Sequence, residues 1–558
     1  MNTLFRIAFG DYEFVLDRTS LTYSLTETVT KTVWATELSL GWIELKERET
    51  GALTRTDFGD CKLLSIAEKM GATGKRILLG LDAPGGVPVD IYLICGSKEI
   101  QLTVEASRDS KTHTLEKIGL LPRLCLAGMG SALVLPHGEG KLLRLEDYPF
   151  KYLESELWSL PIWEPRCGLT MPFMGVVQPN SALALLTDSL YGFAEVTKRL
   201  DAFSADLVYE CDPERRRLDI RILLQPGGDH ISIARAYREK LIGERNHITL
   251  RKKLREQPAL EPLIGKAFVT SDLPIPQPFA WVEDLTAVRS DRSTLEVFSL
   301  ENPPNVVSIA FLAHCLYYLA DDNIYWSDEN DRLCRWDRME HRLGLIEATR
   351  KKFCVVGISY GWGDWAAFAV DFCLGLETPG DFSVFWGSSV PLHSVVWRDS
   401  VLFPYRVSTK EPNSFLQALL RLAVPLFDNP YEFTESFYEA VCAILCPLHA
   451  LTFPAFLTAH KFLTPDFLVE EAYYSDKTQV IINQSETDAY DAGEYLLPPG
   501  GFYVRHPQFE AHDALRVKGV EFPQRAWRVR RSLDSKPLEQ SGELEEREFL
   551  AAPPPSPS

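Results

Sequence analysis

Residues 353–366 read FCVVGISYGWGDWA. The run FCVV is apolar enough for a buried strand. Three glycines, Tyr360, Trp362, Asp364 and Trp365 then crowd into the nine residues 357–365. Glycine lets a backbone approach a ligand closely. Indole and phenol faces pack on flat apolar surfaces such as sugar rings, and a carboxylate binds hydroxyls or moves a proton. A strand ending in such a cluster suits the floor of a saccharide site. The same residues also suit a core strand leading into a helix WAAFAVDF, with Asp364 as its N-cap.

Outward from this stretch, residues 265–460 alternate strand-like runs (KAFVTSD, VVSIAFLA, NIYWSD, KFCVVGIS, PLHSVVW) with helix-like ones (SFLQALLRLAV, SFYEAVCAIL). That alternation indicates parallel strands with helical crossovers. Its closed form is a (β/α) TIM-like barrel, with its site where strands end and loops begin. The stretch is short against the usual ~250 residues, so an incomplete barrel is expected.

Before it, short alternating runs such as YEFVLD, VDIYLIC and LDIRILL, separated by APGG and QPGG turns, read as a large β-sandwich. In HISIARAYREKLIGER, Ile233, Tyr237 and Leu241 recur at helical spacing, so a connecting helix begins there and ends near Gly243. The basic cluster Arg245 to Arg255 reads as the solvated face of a helix or linker. After the barrel-like part, FLVEEAYYSDKTQVIINQ and YLLPPGGFYVRH read as antiparallel strands turning at SDKT and PPGG. The end, GELEEREFLAAPPPSPS, is charged and proline-rich.

The expected fold class is multidomain β plus α/β. Residues 1–230 form a sandwich, 231–264 a helical linker, 265–460 a (β/α) barrel-like domain, 461–531 a small C-terminal antiparallel β-domain and 532–558 a disordered tail.

At 558 residues, several cores are expected. The formal charge of −19 repels nucleic acid and anionic lipid, so neither is an expected partner. The uncharged run Ala440 to Leu457 is 18 residues long, but Pro447 and Pro454 make an internal helix a better reading than a membrane span. The first 17 residues lack a signal-peptide pattern, and a cytoplasmic location is expected. Eleven cysteines without a CxxC pair argue against zinc and a disulfide framework. No metal, nucleotide or other cofactor motif occurs at a suitable junction, so none is expected.

Glycosidic hydrolysis ordinarily needs two carboxyl groups across the scissile bond. The carboxylates at expected strand ends are Asp328 after NIYWS, Asp364 after GISYGWG and Asp399 after SVVWR. Asp328 is the candidate nucleophile, with Asp331 an equally defensible substitute and Trp326 offering a stacking face. Against this, the segment DENDR is charged enough to be a plain surface loop. Tyr360, Trp362, Asp364 and Trp365 are candidate sugar contacts. Asp399 contacts a sugar or else pairs with its neighbour Arg398. His314 and His393 sit in apolar runs and read as hydrogen-bonded core residues.

The order of sandwich, barrel and small β-domain resembles that of glycoside hydrolases related to endo-α-N-acetylgalactosaminidase. The local carriers are WSLPIWEPRCGLTMPFMGVVQPNSALALLTD (Trp158 to Asp188), ARAYREKL (Ala234 to Leu241), GISYGWGDWAAFAVDF, PLHSVVWRDSVLFPY (Pro391 to Tyr405) and the C-terminal stretch from LTAHKFLTPD to YLLPPGGFYV. This resemblance implies a galactose-mutarotase-like sandwich, a barrel in which PLHSVVW is a strand, and action on α-linked glycans. The family's carboxylate in the G-S-E stretch falls on Tyr360 here, and the barrel is compressed between about Ile264 and Tyr325. A catalytically inactive carbohydrate-binding or scaffold protein is the alternative those departures suggest.

Overall fold

The computed structural model describes residues 4–71, 74–106, 109–147, 156–161, 168–188, 192–199, 201–211, 216–270, 285–288, 296–299, 308–311, 355–359, 367–374, 387–408, 411, 413–427 and 435–550. The chain is mostly β, in several sheets.

The N-terminal part builds three antiparallel sheets of four, ten and six strands, with Ser388–Ser389 from later in the chain as the edge strand of the ten. Alternation is the cause: in Val87–Cys95 and Glu99–Ala106 every second side chain enters the core. Ser181–Thr187 (SALALLT) breaks that pattern by being buried throughout. Its Leu183 and Leu185 face the sandwich core, whereas Ala182, Ala184 and Leu186 face a second core on the other side. The ten-stranded sheet is thus a wall shared by two cores.

Helix α1 (His230–Gly243) lies on that wall, opened by a capping box between Asp229 and Ser232. Ile233, Tyr237 and Leu241 are buried as the periodicity requires. Ile233 presses so closely on the sheet that a Cβ on Gly175 would lie 2.6 Å from its Cδ1. The basic cluster becomes helix α2 (Leu250–Glu256). Arg251 and Arg255 are exposed, but Lys253 is 6% exposed and donates to the carbonyls of Ala367 and Val370 at 3.0 and 2.6 Å. A solvated face describes only part of it.

Eight short strands follow: β1 (Ala267–Thr270), β2 (Leu285–Val288), β3 (Glu296–Ser299), β4 (Ser308–Phe311), β5 (Val355–Ser359), β6 (Phe372–Leu374), β7 (Pro404–Arg406) and β8 (Val424–Phe427). They form two four-stranded sheets, ordered β2-β1-β8-β7 and β3-β4-β5-β6. All adjacent pairs are parallel except β3 and β4. Only residues 300–307 join those two, fewer than the dozen or so a parallel crossover needs. A parallel bridge between Phe372 and Leu402 links the second sheet to the segment entering β7.

Two local expectations change. PLHSVVW forms a short helix, α3 (Leu392–Val396), not a strand. In WAAFAVDF, residues 367–369 form a turn and Phe372 opens β6, so no helix runs through it. Helices α4 (Ser414–Leu420) and α5 (Glu435–Thr452) stand where expected, with Pro447 inside α5. Among the described residues no helix is long and apolar enough to cross a membrane.

The C-terminal unit is a seven-stranded antiparallel sheet beginning with β9 (Leu457–Phe462), β10 (Val469–Tyr474) and β11 (Gln479–Asn483), with a small four-stranded sheet beside it. It starts before residue 461 and continues beyond 531. Leu544–Leu550, expected in a disordered tail, pairs with Ala526–Ser532 over seven residue pairs. The seven described cysteines are free thiols, six of them buried.

Candidate functional site

Parallel pairing makes β1, β2, β4, β5, β6, β7 and β8 run one way, so their C-terminal ends define one rim. Ser359 ends β5, and Tyr360 is the next residue in the chain. Tyr360, Trp362, Asp364 and Trp365 themselves lie outside the described residues, as do Trp326, Asp328, Asp331 and His314.

Gly357, in the middle of β5, has a reason unrelated to a ligand. A Cβ there would lie 2.0–2.3 Å from three atoms of the Phe372 ring on the neighbouring strand β6. Phe372 is 1% exposed, and its ring meets that of Phe268 on β1 at 5.9 Å. Phe268, Phe372, Leu402, Val424 and Leu426 form one core, closed by Leu250, Leu260 and Leu263 from the α2 region. The glycine read as room for a sugar is room for a phenyl ring.

At the rim, the segment after β7 is tied to α4. Ser408 N donates to Ser414 Oγ at 2.8 Å, and that hydroxyl donates to Ser408 O at 3.1 Å. Arg406 and Glu411 lie 3.8 Å apart.

Asp399 lies at the other end, five residues before β7. It is 4% exposed, and both carboxylate oxygens accept from Arg238 of α1 at 2.7 Å. His247 Nε2 is 3.3 Å from Oδ1. Burial opposes ionisation, but the hydrogen bonds and charges of Arg238 and His247 outweigh it and hold this carboxyl down to about 2. The arginine that pairs with Asp399 is therefore Arg238, not its neighbour Arg398, and both carboxylate oxygens are engaged in that pair. Arg398 donates instead to the carbonyls of Arg421, Leu422, Thr452 and Ala455. His393 is a core residue, its ring edge-on to Phe403 at 4.5 Å, and burial pushes its imidazole far down.

Sequence reasoning missed a buried polar cleft at this same end. Glu139, His393, Arg398, Tyr405, Arg421 and His449 line it, and its volume of about 20 Å³ suits one water. Arg421, three residues before β8, pairs with Glu139 of the N-terminal part. Residues this far apart in the chain share no spacing that could announce the pair. Among the described residues no group of His, Cys, Asp or Glu is arranged to hold a metal.

No family model and no curated protein matches the sequence. Solved structures do match. The α-N-acetylgalactosaminidase NagBb from Bifidobacterium bifidum in complex with GalNAc superposes with a TM-score of 0.64 at 14% identity, over 86% of this chain and 98% of that one. The same enzyme with Gal-NHAc-DNJ gives 0.65 at 14% identity and the same coverage. A β-arabinopyranosidase, 9% identical over 99% of both chains, has a TM-score of only 0.34. The chain has the β-rich, multidomain fold of a glycoside hydrolase.

Proposed function

We propose that this chain is a glycan-acting enzyme that hydrolyses α-linked glycosides, with terminal α-N-acetylgalactosamine the first substrate to test. The observation that carries this reading is the fold shared with an α-N-acetylgalactosaminidase across 86% of the chain. In it, β1 to β8 close into a (β/α) barrel between the N-terminal sheets and the sheet beginning at Leu457. Three facts support closure: the parallel order within each sheet, the Phe372 to Leu402 bridge, and the meeting of Phe268 and Phe372.

Asp328 is the proposed nucleophile, with Asp331 as its substitute. Asp364 holds two adjacent hydroxyls, and Trp326, Tyr360, Trp362 and Trp365 supply stacking faces. The general acid is unassigned, and Asp399 takes no part. Carbohydrate is the proposed partner.

The test incubates the purified chain with aryl α-glycosides of GalNAc, galactose, GlcNAc and glucose. Release from the GalNAc substrate is expected, falling at least about a thousandfold in Asp328→Asn or Asp331→Asn, as loss of a catalytic carboxylate requires. If the wild type and Tyr360→Glu both hydrolyse none of the four, the proposal fails.

A further inference from the structure

Six segments of the chain meet in one line of hydrogen bonds. His230, at the start of α1, places Nε2 3.0 Å from Nδ1 of His460 on β9. His460 Nε2 is 2.7 Å from Oε2 of Glu470 on β10. The other oxygen of Glu470 accepts from Gln417 of α4 at 3.0 Å and from Gln484, just after β11. Gln417 also accepts from Arg421, which donates to Glu139. His230, His460 and Glu470 are 8%, 1% and 3% exposed, so water cannot replace a lost bond.

The proton count follows from these distances. Glu470 is an acceptor, so His460 Nε2 carries a hydrogen. One further hydrogen must lie between His230 Nε2 and His460 Nδ1. If it belongs to His230, both rings are neutral. If it belongs to His460, that ring is an imidazolium against Glu470, and His230 is neutral with its hydrogen on Nδ1. Both arrangements keep both bonds. A second added proton sets two N–H groups face to face and breaks the link.

We propose that His230, His460 and Glu470 form a one-proton latch between α1 and the C-terminal sheet, which takes up a single proton on His460 without opening and opens on the second. The groups facing it decide which ring is charged first. From the α1 side come Asp229 and Arg235, whose Nη2 donates to Thr458 O at 2.6 Å. From β10 comes Glu470, from α4 Gln417 and Arg421, and from the N-terminal part Glu139 with Lys141 beside it. The carboxylate touches His460, so the first charge belongs there. Burial and the nearby His460 push His230 down to about 3, in keeping with a second, harder step.

The test is nitrogen-detected NMR of the full chain labelled with ¹⁵N-histidine, the two rings assigned by His230→Gln and His460→Gln. As the pH is lowered, His460 should become an imidazolium first, while His230 stays neutral and moves its hydrogen from Nε2 to Nδ1. Glu470→Gln removes the carboxylate that faces His460 Nε2 and should take away that ring's lead over His230. Hydrogen exchange of the unmutated chain covers the case in which variants do not fold. Protection of residues 457–462 should hold to pH 5 and drop as pH approaches about 3. Both rings charging in one step, His230 charging before His460, or protection of residues 457–462 lost as His460 charges would overturn the proposal.

Discussion

Replacing Gly357 by alanine separates packing from ligand access as the reason for a glycine in β5. An added Cβ would lie 2.0, 2.2 and 2.3 Å from Cζ, Cε2 and Cε1 of Phe372. Carbon atoms prefer about 3.5–4.0 Å, so the ring must retreat by roughly 1.5 Å. It has nowhere to go, because Phe372 is 1% exposed and backed by Phe268 and the Leu402, Val424 and Leu426 cluster. Overpacking of this kind costs about 1–3 kcal/mol, and a contact this short belongs near the upper figure. Phe372→Leu alone should cost about 1–2 kcal/mol from the cavity it leaves. In the double variant the methyl fills part of that cavity, so a favourable coupling of about 2 kcal/mol is expected. Urea unfolding of the four proteins, followed by tryptophan fluorescence, measures this cycle. If Gly357→Ala stays within about 0.5 kcal/mol of the parent, or the double variant is additive, the packing argument is refuted. Gly357→Ala that leaves stability intact but weakens sugar binding would restore the ligand reading.

Arg238→Ala leaves Asp399 charged and buried without its guanidinium, and should cost about 3–5 kcal/mol in urea unfolding. Arg238→Met with Asp399→Leu should recover most of that loss, and no recovery would mean that the pair's geometry, not its charge balance, matters. Burial holds His449 down to about 3 and His512 down to about 4. Between those values and the ordinary ~6.5 the unfolded chain binds more protons than the native one, so stability rises with pH in that window. Each ring should remove up to about 1.4 kcal/mol per pH unit as pH falls below ~6.5. His449→Asn should flatten the urea midpoint measured at pH 7, 6 and 5, and an unchanged slope would show that His449 does not contribute. Removing residues 540–558 deletes the strand Leu544–Leu550 and bares Ala526–Ser532 as an edge, so faster proteolysis of the C-terminal sheet is expected. Removing only 551–558 should change nothing, and equal sensitivity of the two truncations would contradict the pairing.

Legibility tracked the range of the interactions. Strands such as VDIYLIC and helix α1 were readable because burial there repeats every 2.0 or 3.6 residues, a property of the segment itself. PLHSVVW was not, because a short apolar run fits a buried strand or a buried helix equally well, and Leu392 to Val396 are buried on every side. The charged end misled for a different reason. Arg528 pairs with Glu548 at 3.3 Å, Arg530 with Glu546 at 3.0 Å and Arg531 with Glu545, so charges that look solvated in one strand are neutralised by the other. Asp399 was readable as a carboxylate at the end of an apolar run but not as the partner of a residue 161 positions away. The proposed nucleophiles rest on sequence position and resemblance alone.

Four buried ionic groups around the parallel strands share a location that composition could not reveal. Lys253 precedes β1, Arg398 and Asp399 precede β7, and Arg421 precedes β8, each on the approach to a strand's N-terminal end. Each bonds a segment far away in the chain: the residues before β6, helix α1, the turn after α5, or Glu139. Charge buried this way is costly to misplace, because an unpaired member loses several kcal/mol. It therefore fixes how the N-terminal sheets, the parallel strands and the C-terminal sheet pack together. In parallel α/β units that end of the strands carries stability, and the opposite end carries chemistry. Asp399 spends both carboxylate oxygens on Arg238, as a structural ion pair does. Under the proposed function, the carboxylates left for catalysis are those that follow β4 and β5 in the sequence, Asp328, Asp331 and Asp364.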